Sequence, residues 1–263
     1  MSRLQGKTII ITGASSGLGM EIAKQSAAEG ASVVLLARRL DRLKEIKEEL
    51  TRTFSADVFI YSIDISRKEE VERVFDEILK TVASVDVLVN NAGFGVFNEA
   101  HEAKWEEIES MFQVNVLGLI ACIQMILPHM KTRRSGHIIN IASQAGKMAT
   151  PKSSVYAATK HAVLGYTNSL RMEMARDGVQ VTAVNPGPIA TEFFTTADPS
   201  GSYAKNVARW MLKPEKVASE VVKAMNTNKR EINLPKWMNA GSVLYTLFPR
   251  VVERIGRNAF FKK

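Results

Sequence analysis

Cysteine is nearly missing from this 263-residue chain: Cys122 stands alone, so no disulfide can form within one copy. A lone thiol suits a reducing compartment, and a cytoplasmic location is expected. Histidine is scarce too, and His101, His129, His137 and His161 have no ligand spacing, so no metal site is expected. The most apolar stretch, 114–127, contains Asn115 and Gln124. It falls short of the roughly 18 residues a membrane-spanning helix needs and reads as a buried core helix. The opening MSRLQGKTIII lacks a small-residue cleavage site, so no secretory signal is expected there. No repeat, low-complexity tract or Pro/Gly/Ser linker divides the sequence. Its 46% hydrophobic and 24% charged residues are ordinary for a globular protein. One domain over 1–263 is expected, with a core over about 6–234 and a C-terminal extension over about 235–263.

Acidic residues are scarce only at one end. The whole chain has 35 Lys+Arg against 27 Asp+Glu, but from Lys205 onward the numbers are 13 and 4. A solvated basic surface is the plainest reading, and anionic lipid or an anionic substrate the sharper one. No nucleic-acid partner is expected, because no binding motif accompanies the charge.

What is present is an alternation of short apolar runs with amphipathic ones. Strands are predicted at 7–12, 32–37, 58–63, 86–89, 137–142, 179–184 and 231–234. Helices are predicted at 17–29, from a cap at Asp41 to about Arg52, at 66–82, 105–131 and 154–176, and after Pro214. Strands joined by crossover helices imply an α/β fold: a Rossmann-like, doubly wound parallel sheet of about seven strands with helices on both faces. Ligands in such sheets bind where the strands end, so the loops after the strands are the places to look.

The first strand runs into Thr12-Gly13-Ala14-Ser15-Ser16-Gly17-Leu18-Gly19. Glycines at a strand-to-helix turn let a pyrophosphate approach the amides of a helix N-terminus. The second strand ends in Ala37-Arg38-Arg39, where an acid would hold the ribose hydroxyls of NAD. Arginines there suit a 2′-phosphate, so NADP is the expected cofactor. Tyr156 and Lys160 are four apart on a predicted helix and share a face. A free phenol titrates near pH 10, and an adjacent ammonium favours its ionised form. Ser143 follows the fifth strand, Asn115 lies in the long apolar helix, Asn90-Asn91-Ala92-Gly93 follows the fourth strand and Asn185-Pro186-Gly187 the sixth.

On these motifs, with Ile189-Ala190-Thr191 completing the last, the chain resembles the short-chain dehydrogenase/reductase family over about Gly6 to Leu234. The resemblance implies a catalytic set. Tyr156 is the acid/base, Lys160 lowers its pKa and holds the nicotinamide ribose, Ser143 polarises the carbonyl, and Asn115 supports a proton-relay water through its helix backbone. It also implies cofactor contacts from Gly13, Ser15, Ser16, Gly17, Leu18, Gly19, Arg38, Arg39, Asn91, Ala92, Gly93, Pro186, Gly187, Ile189 and Thr191. Asp64 and Ile65, after the third strand, would lie at the adenine. Some NADP-using members carry a basic residue before the second motif glycine. Ser16 stands there here, so the phosphate preference rests on Arg38 and Arg39.

The expected reaction is hydride transfer between NADP(H) and a carbonyl or alcohol, with a homodimer or homotetramer built through the helices over 105–131 and 154–176. A lid is expected over 188–212, and its Phe193, Phe194, Tyr203, Trp210 and Met211 favour an apolar substrate. Two other readings are a non-catalytic nucleotide-binding scaffold and a sugar-nucleotide epimerase. The complete Asn115/Ser143/Tyr156/Lys160 set argues against the first, and the short C-terminal extension against the second. A final helix is predicted from Pro249, with Val251, Val252, Ile255 and Ala259 on one face and Arg250, Arg254 and Arg257 on another. Phe260, Phe261, Lys262 and Lys263 close the chain. This tail reads as a cover for the chain's own pocket, a partner contact, or a peripheral membrane contact.

Overall fold

A computed structural model of the chain describes residues 2–260. Seven strands form one parallel sheet: β1 (Thr8–Thr12), β2 (Ser32–Ala37), β3 (Val58–Ser62), β4 (Val87–Asn90), β5 (Gly136–Ile141), β6 (Val179–Pro186) and β7 (Glu231–Leu234). Their order is β3-β2-β1-β4-β5-β6-β7. The winding direction reverses between β1 and β4, which places a switch point at their carboxyl ends. In register, Ile10 faces Val34 on one side and Leu88 on the other.

The central strands β1, β2 and β4 are almost wholly apolar because helices cover both faces. Side chains alternate across the sheet. Ile9, Ile11, Val33 and Leu35 therefore pack with α1 (Gly17–Ala28), α2 (Leu40–Phe54) and α9 (Pro214–Ala224). Ile10, Val34, Leu36 and Leu88 pack on the other face with α3 (Lys68–Thr81), α5 (Leu119–Arg133) and α6 (Ser154–Met174). Phe75, Ile123, Ile126 and Leu170 belong to that second core. Cys122 is buried among them, and burial pushes its thiol up to about 12. It is a packing group, unreactive as a nucleophile.

Two expectations need correction. Asp41 does not cap α2. Arg39 occupies the cap position and Asp41 sits in the first turn, where its charge still favours the helix N-terminus. The long helix is also not uniform: α4 (Trp105–Phe112) passes through a π turn over Gln113–Gly118 into α5. The combined rod is long and apolar enough, by length and composition alone, to cross a membrane. Its Met111, Val116, Leu119, Ile123, Ile126 and Met130 are instead buried in the core.

After β6 come two short helices, α7 (Phe193–Ala197) and α8 (Ser202–Val207), across the region expected to be the lid. Beyond β7 the chain forms α10 (Lys236–Leu247) and α11 (Pro249–Phe260). The helix expected from Pro249 is therefore present, while Phe261, Lys262 and Lys263 lie outside the described residues.

Candidate active site

The loop from β1 to α1 is shaped by what its glycines exclude. Gly13 and Gly17 have φ of +66° and +54°, which side-chain-bearing residues rarely adopt. A Cβ on Gly19 would lie 2.3 Å from the Gly13 carbonyl oxygen and 2.6 Å from Asn91 Nδ2. Thr12 and Asn91 lock this turn to the end of β4. The backbone amides of Asn91 and Ala92 each donate to Thr12 Oγ1 at 3.0 Å, and Asn91 Nδ2 donates to the carbonyls of Thr12 and Gly13. The result is a backbone cradle at the N-terminus of α1, suited in shape and polarity to a pyrophosphate. Gly17 also faces the start of the lid, since a Cβ there would sit 3.2 Å from Thr191 Cβ.

At the end of β2, Arg39 leans over this cradle. It donates to Ser16 Oγ at 2.8 Å and to Ser15 Oγ at 3.2 Å, and pairs with Glu192 at 3.6 Å. Arg38 is exposed and acts on Asp64. Burial raises the Asp64 pKa, but hydrogen bonds from Ser66 and the charges of Arg38 and Arg67 outweigh it and hold the carboxyl below its usual range. One Asp64 oxygen already accepts from Ser66, so only part of this carboxylate faces outward. Ile65 is buried, with its carbonyl packed against Gly118 in the π turn.

The four residues expected to act together do meet. Ser143 caps a short 3-10 turn after β5: its Oγ accepts from the Ala145 amide at 3.0 Å, lies 3.5 Å from the Pro186 carbonyl and faces Tyr156. Lys160, one turn along α6, donates to the Ile141 carbonyl at 3.0 Å and lies 5.7 Å from the Tyr156 ring centre. Asn115 sits in the π turn. Its side chain accepts from the Phe94 amide and donates to the Phe94 carbonyl and to Thr159 Oγ1. That side chain is fully engaged in fastening the β4 loop to α6, so any other role falls to its backbone.

The electrostatics differ from the expectation that Lys160 lowers the Tyr156 pKa. Burial pushes Tyr156 well above the ordinary phenol range, opposed by the Ser143 hydrogen bond and reinforced by Tyr203. Burial also pulls the Lys160 ammonium down to about 8. Burial disfavours the charged form of each group, which raises the phenol and lowers the ammonium.

An aromatic cluster covers Tyr156. Phe193 is 5.6 Å and Phe97 5.9 Å from its ring, and Phe97 also meets Phe193, Phe194 and Tyr203. The expected lid therefore does cover the site. Trp210 instead packs 5.4 Å from Trp237 on α10. Phe97 escapes sequence reasoning; its one signal is its place in the loop after β4, where its amide donates to the Ala197 carbonyl of α7. Lys147 escapes it too, although its ammonium binds Glu231 at 2.5 Å, Asn233 at 2.9 Å and Asn239 at 3.2 Å. That knot ties the loop carrying Ser143 to β7 and α10. Pro186 and Gly187 close β6, and Ile189 bridges to Leu212 at the base of the lid.

A family model for short chain dehydrogenases matches residues 7–200. An uncharacterised oxidoreductase of Staphylococcus saprophyticus is 36% identical over 225 residues, covering 86% of this chain and 93% of its own. An alcohol dehydrogenase from the archaeon Thermococcus sibiricus, solved with 5-hydroxy-NADP, is 29% identical with a TM-score of 0.79, over 88% of this chain and 96% of its own. A short-chain dehydrogenase/reductase from Burkholderia phymatum, solved with NAD, is 25% identical with a TM-score of 0.87, over 95% and 96%. Sequence likeness across most of the chain and the shared sheet agree: this chain belongs to the short-chain dehydrogenase/reductase family of oxidoreductases.

Proposed function

We propose that the chain interconverts a carbonyl and an alcohol with NADP(H), as one domain built on the seven-stranded sheet. The observation that carries this reading is the convergence of Tyr156, Ser143 and Lys160 beneath an aromatic cover. The glycine cradle and the arginines beside it fit a dinucleotide, and the bound cofactor supplies or accepts the hydride. Ser143 donates to the substrate oxygen and stabilises charge as it develops there. Tyr156 gives its proton to that oxygen in reduction and takes it back in oxidation. A phenol holds its proton at neutral pH and can hand it to the substrate oxygen in reduction. Lys160 lies on the same helix face, placed to hold the nicotinamide ribose. Asn115, at the π turn, would anchor a proton-relay water through its backbone. Phe97, Phe193 and Phe194 exclude water and favour an apolar substrate.

The cofactor choice rests on Arg39 and Arg38, since one solved relative holds an NADP derivative and another NAD. Arg39 already leans over Ser15 and Ser16. A charge-assisted contact to a 2′-phosphate contributes about 1.5–3 kcal/mol, or roughly tenfold to a hundredfold in affinity. Titration should therefore show tighter binding of NADPH than of NADH, with the difference reduced at least about tenfold in Arg39→Ala. Equal affinities in the parent protein would remove the NADP assignment. A screen of ketones, aldehydes and quinones, following nicotinamide absorbance, tests the reaction itself.

A further inference from the structure

The last two helices carry an apolar face that no described residue covers. Trp237, Leu244 and Leu247 recur at helical spacing on α10, Phe248 follows, and Val251 and Ile255 extend the face along α11; each is between 51% and 80% exposed. α11 is fastened to α10 by the Tyr245 hydroxyl, which donates to Glu253 Oε1 at 3.3 Å. At the other end, Trp210 from the lid joins the face through its edge contact with Trp237. The surroundings are basic. Arg209 lies 4.7 Å over the Trp210 ring, and Lys236, Arg250 and Arg254 are exposed beside the apolar positions. Glu253 is the one acid between residues 236 and 260.

We propose that this face docks on an anionic lipid bilayer. A contiguous run of exposed apolar side chains on a folded domain marks an interaction surface. Its pattern is that of an interfacial helix: aliphatic side chains for the acyl boundary, tryptophans for the headgroup level, and arginines for anionic phosphates. Charge decides against a second copy of the chain. A two-fold contact would set the arginine-rich rim against itself, with one acid per copy to offset it, whereas an anionic headgroup layer complements the rim along its whole length. Docking by this face leaves the catalytic cluster on the protein side and brings Trp210, at the edge of the lid, to the membrane. The assignment needs neither cofactor nor substrate and stands apart from the catalytic reading.

The test is vesicle flotation of the full chain at low salt. Vesicles of phosphatidylcholine alone are compared with vesicles containing about 30% phosphatidylglycerol. The full chain should float with the anionic vesicles, at least about tenfold less with the neutral ones, and lose binding as salt is raised. Two variants at exposed positions, Leu244→Glu/Leu247→Glu and Arg250→Glu/Arg254→Glu, should each reduce flotation about tenfold or more without moving the unfolding temperature. The proposal is overturned if the full chain stays unfloated, floats equally with neutral vesicles, or is unaffected by the arginine reversals. It is also overturned if the parent is an oligomer that Leu244→Glu/Leu247→Glu splits, which would put a second copy on the face.

Discussion

Tyr156 has two neighbours of different kinds: Ser143 faces it from the turn after β5, and Lys160 lies across its ring. Replacing Tyr156 by Phe removes the proton donor and almost no volume. Turnover should fall by at least about a hundredfold, within the range a general acid supplies, while NADPH affinity by titration stays within a few-fold of the parent. His137 illustrates a residue whose charge matters to stability. It is buried, its Nε2 sits 2.8 Å from Thr182 Oγ1, and its Nδ1 accepts from the Asn226 amide at 3.0 Å. Burial pulls its pKa from the ordinary 6.5 down to about 4. Between these values the unfolded chain binds a proton that the folded chain refuses. Stability is therefore fully present above pH 6.5 and is lost as pH falls towards 4, by up to about 3 kcal/mol. Urea denaturation across that range should show the slope, and His137→Asn should flatten it.

Among the elements, the turn between β1 and α1 is legible in the residues alone, because a strand followed by Gly-x3-Gly-x-Gly leaves few conformations. Gly19→Ala tests how tight it is. The added methyl would lie 2.3 Å from the Gly13 carbonyl oxygen, so the variant should lose about 1–3 kcal/mol of stability and bind dinucleotide weakly, both measurable by thermal unfolding with and without NADPH. The strands are equally legible, short runs of 4 to 8 residues rich in Ile, Val and Leu. What the sequence hides are tertiary effects. Phe97 becomes part of the site only when the β4 loop meets α7, and Lys147 only when β7 arrives beside it. The π turn at Asn115 leaves no period in the sequence that a helix would not. The sign of the Tyr156 shift is hidden for a related reason: helical spacing reveals a neighbouring charge but not the burial that overrides it.

For the whole molecule, the faces of α5 and α6 turned away from the sheet remain open. Leu117, in the π turn before α5, is 50% exposed and Met172 on α6 77%. If these helices pair between copies, as family resemblance implies, Leu117→Arg should convert the assembled protein to monomers. Light scattering would read this directly, and an unchanged mass would exclude that face as the interface.

The packing of α1 has a consequence for how the protein is made. Its neighbour is α9: Gln25 Nε2 donates to the Glu215 carbonyl, and Ser26 rests against Met225 just past the end of α9. α1 is synthesised almost first and α9 almost last. At about 5–20 residues per second, the ribosome leaves that side of α1 bare for on the order of ten seconds or more. A nascent chain arrested before Pro214 presents it as a sticky surface, a substrate for chaperones and proteases. Substitutions in α9 therefore act on yield in the cell before they act on any property of the finished enzyme.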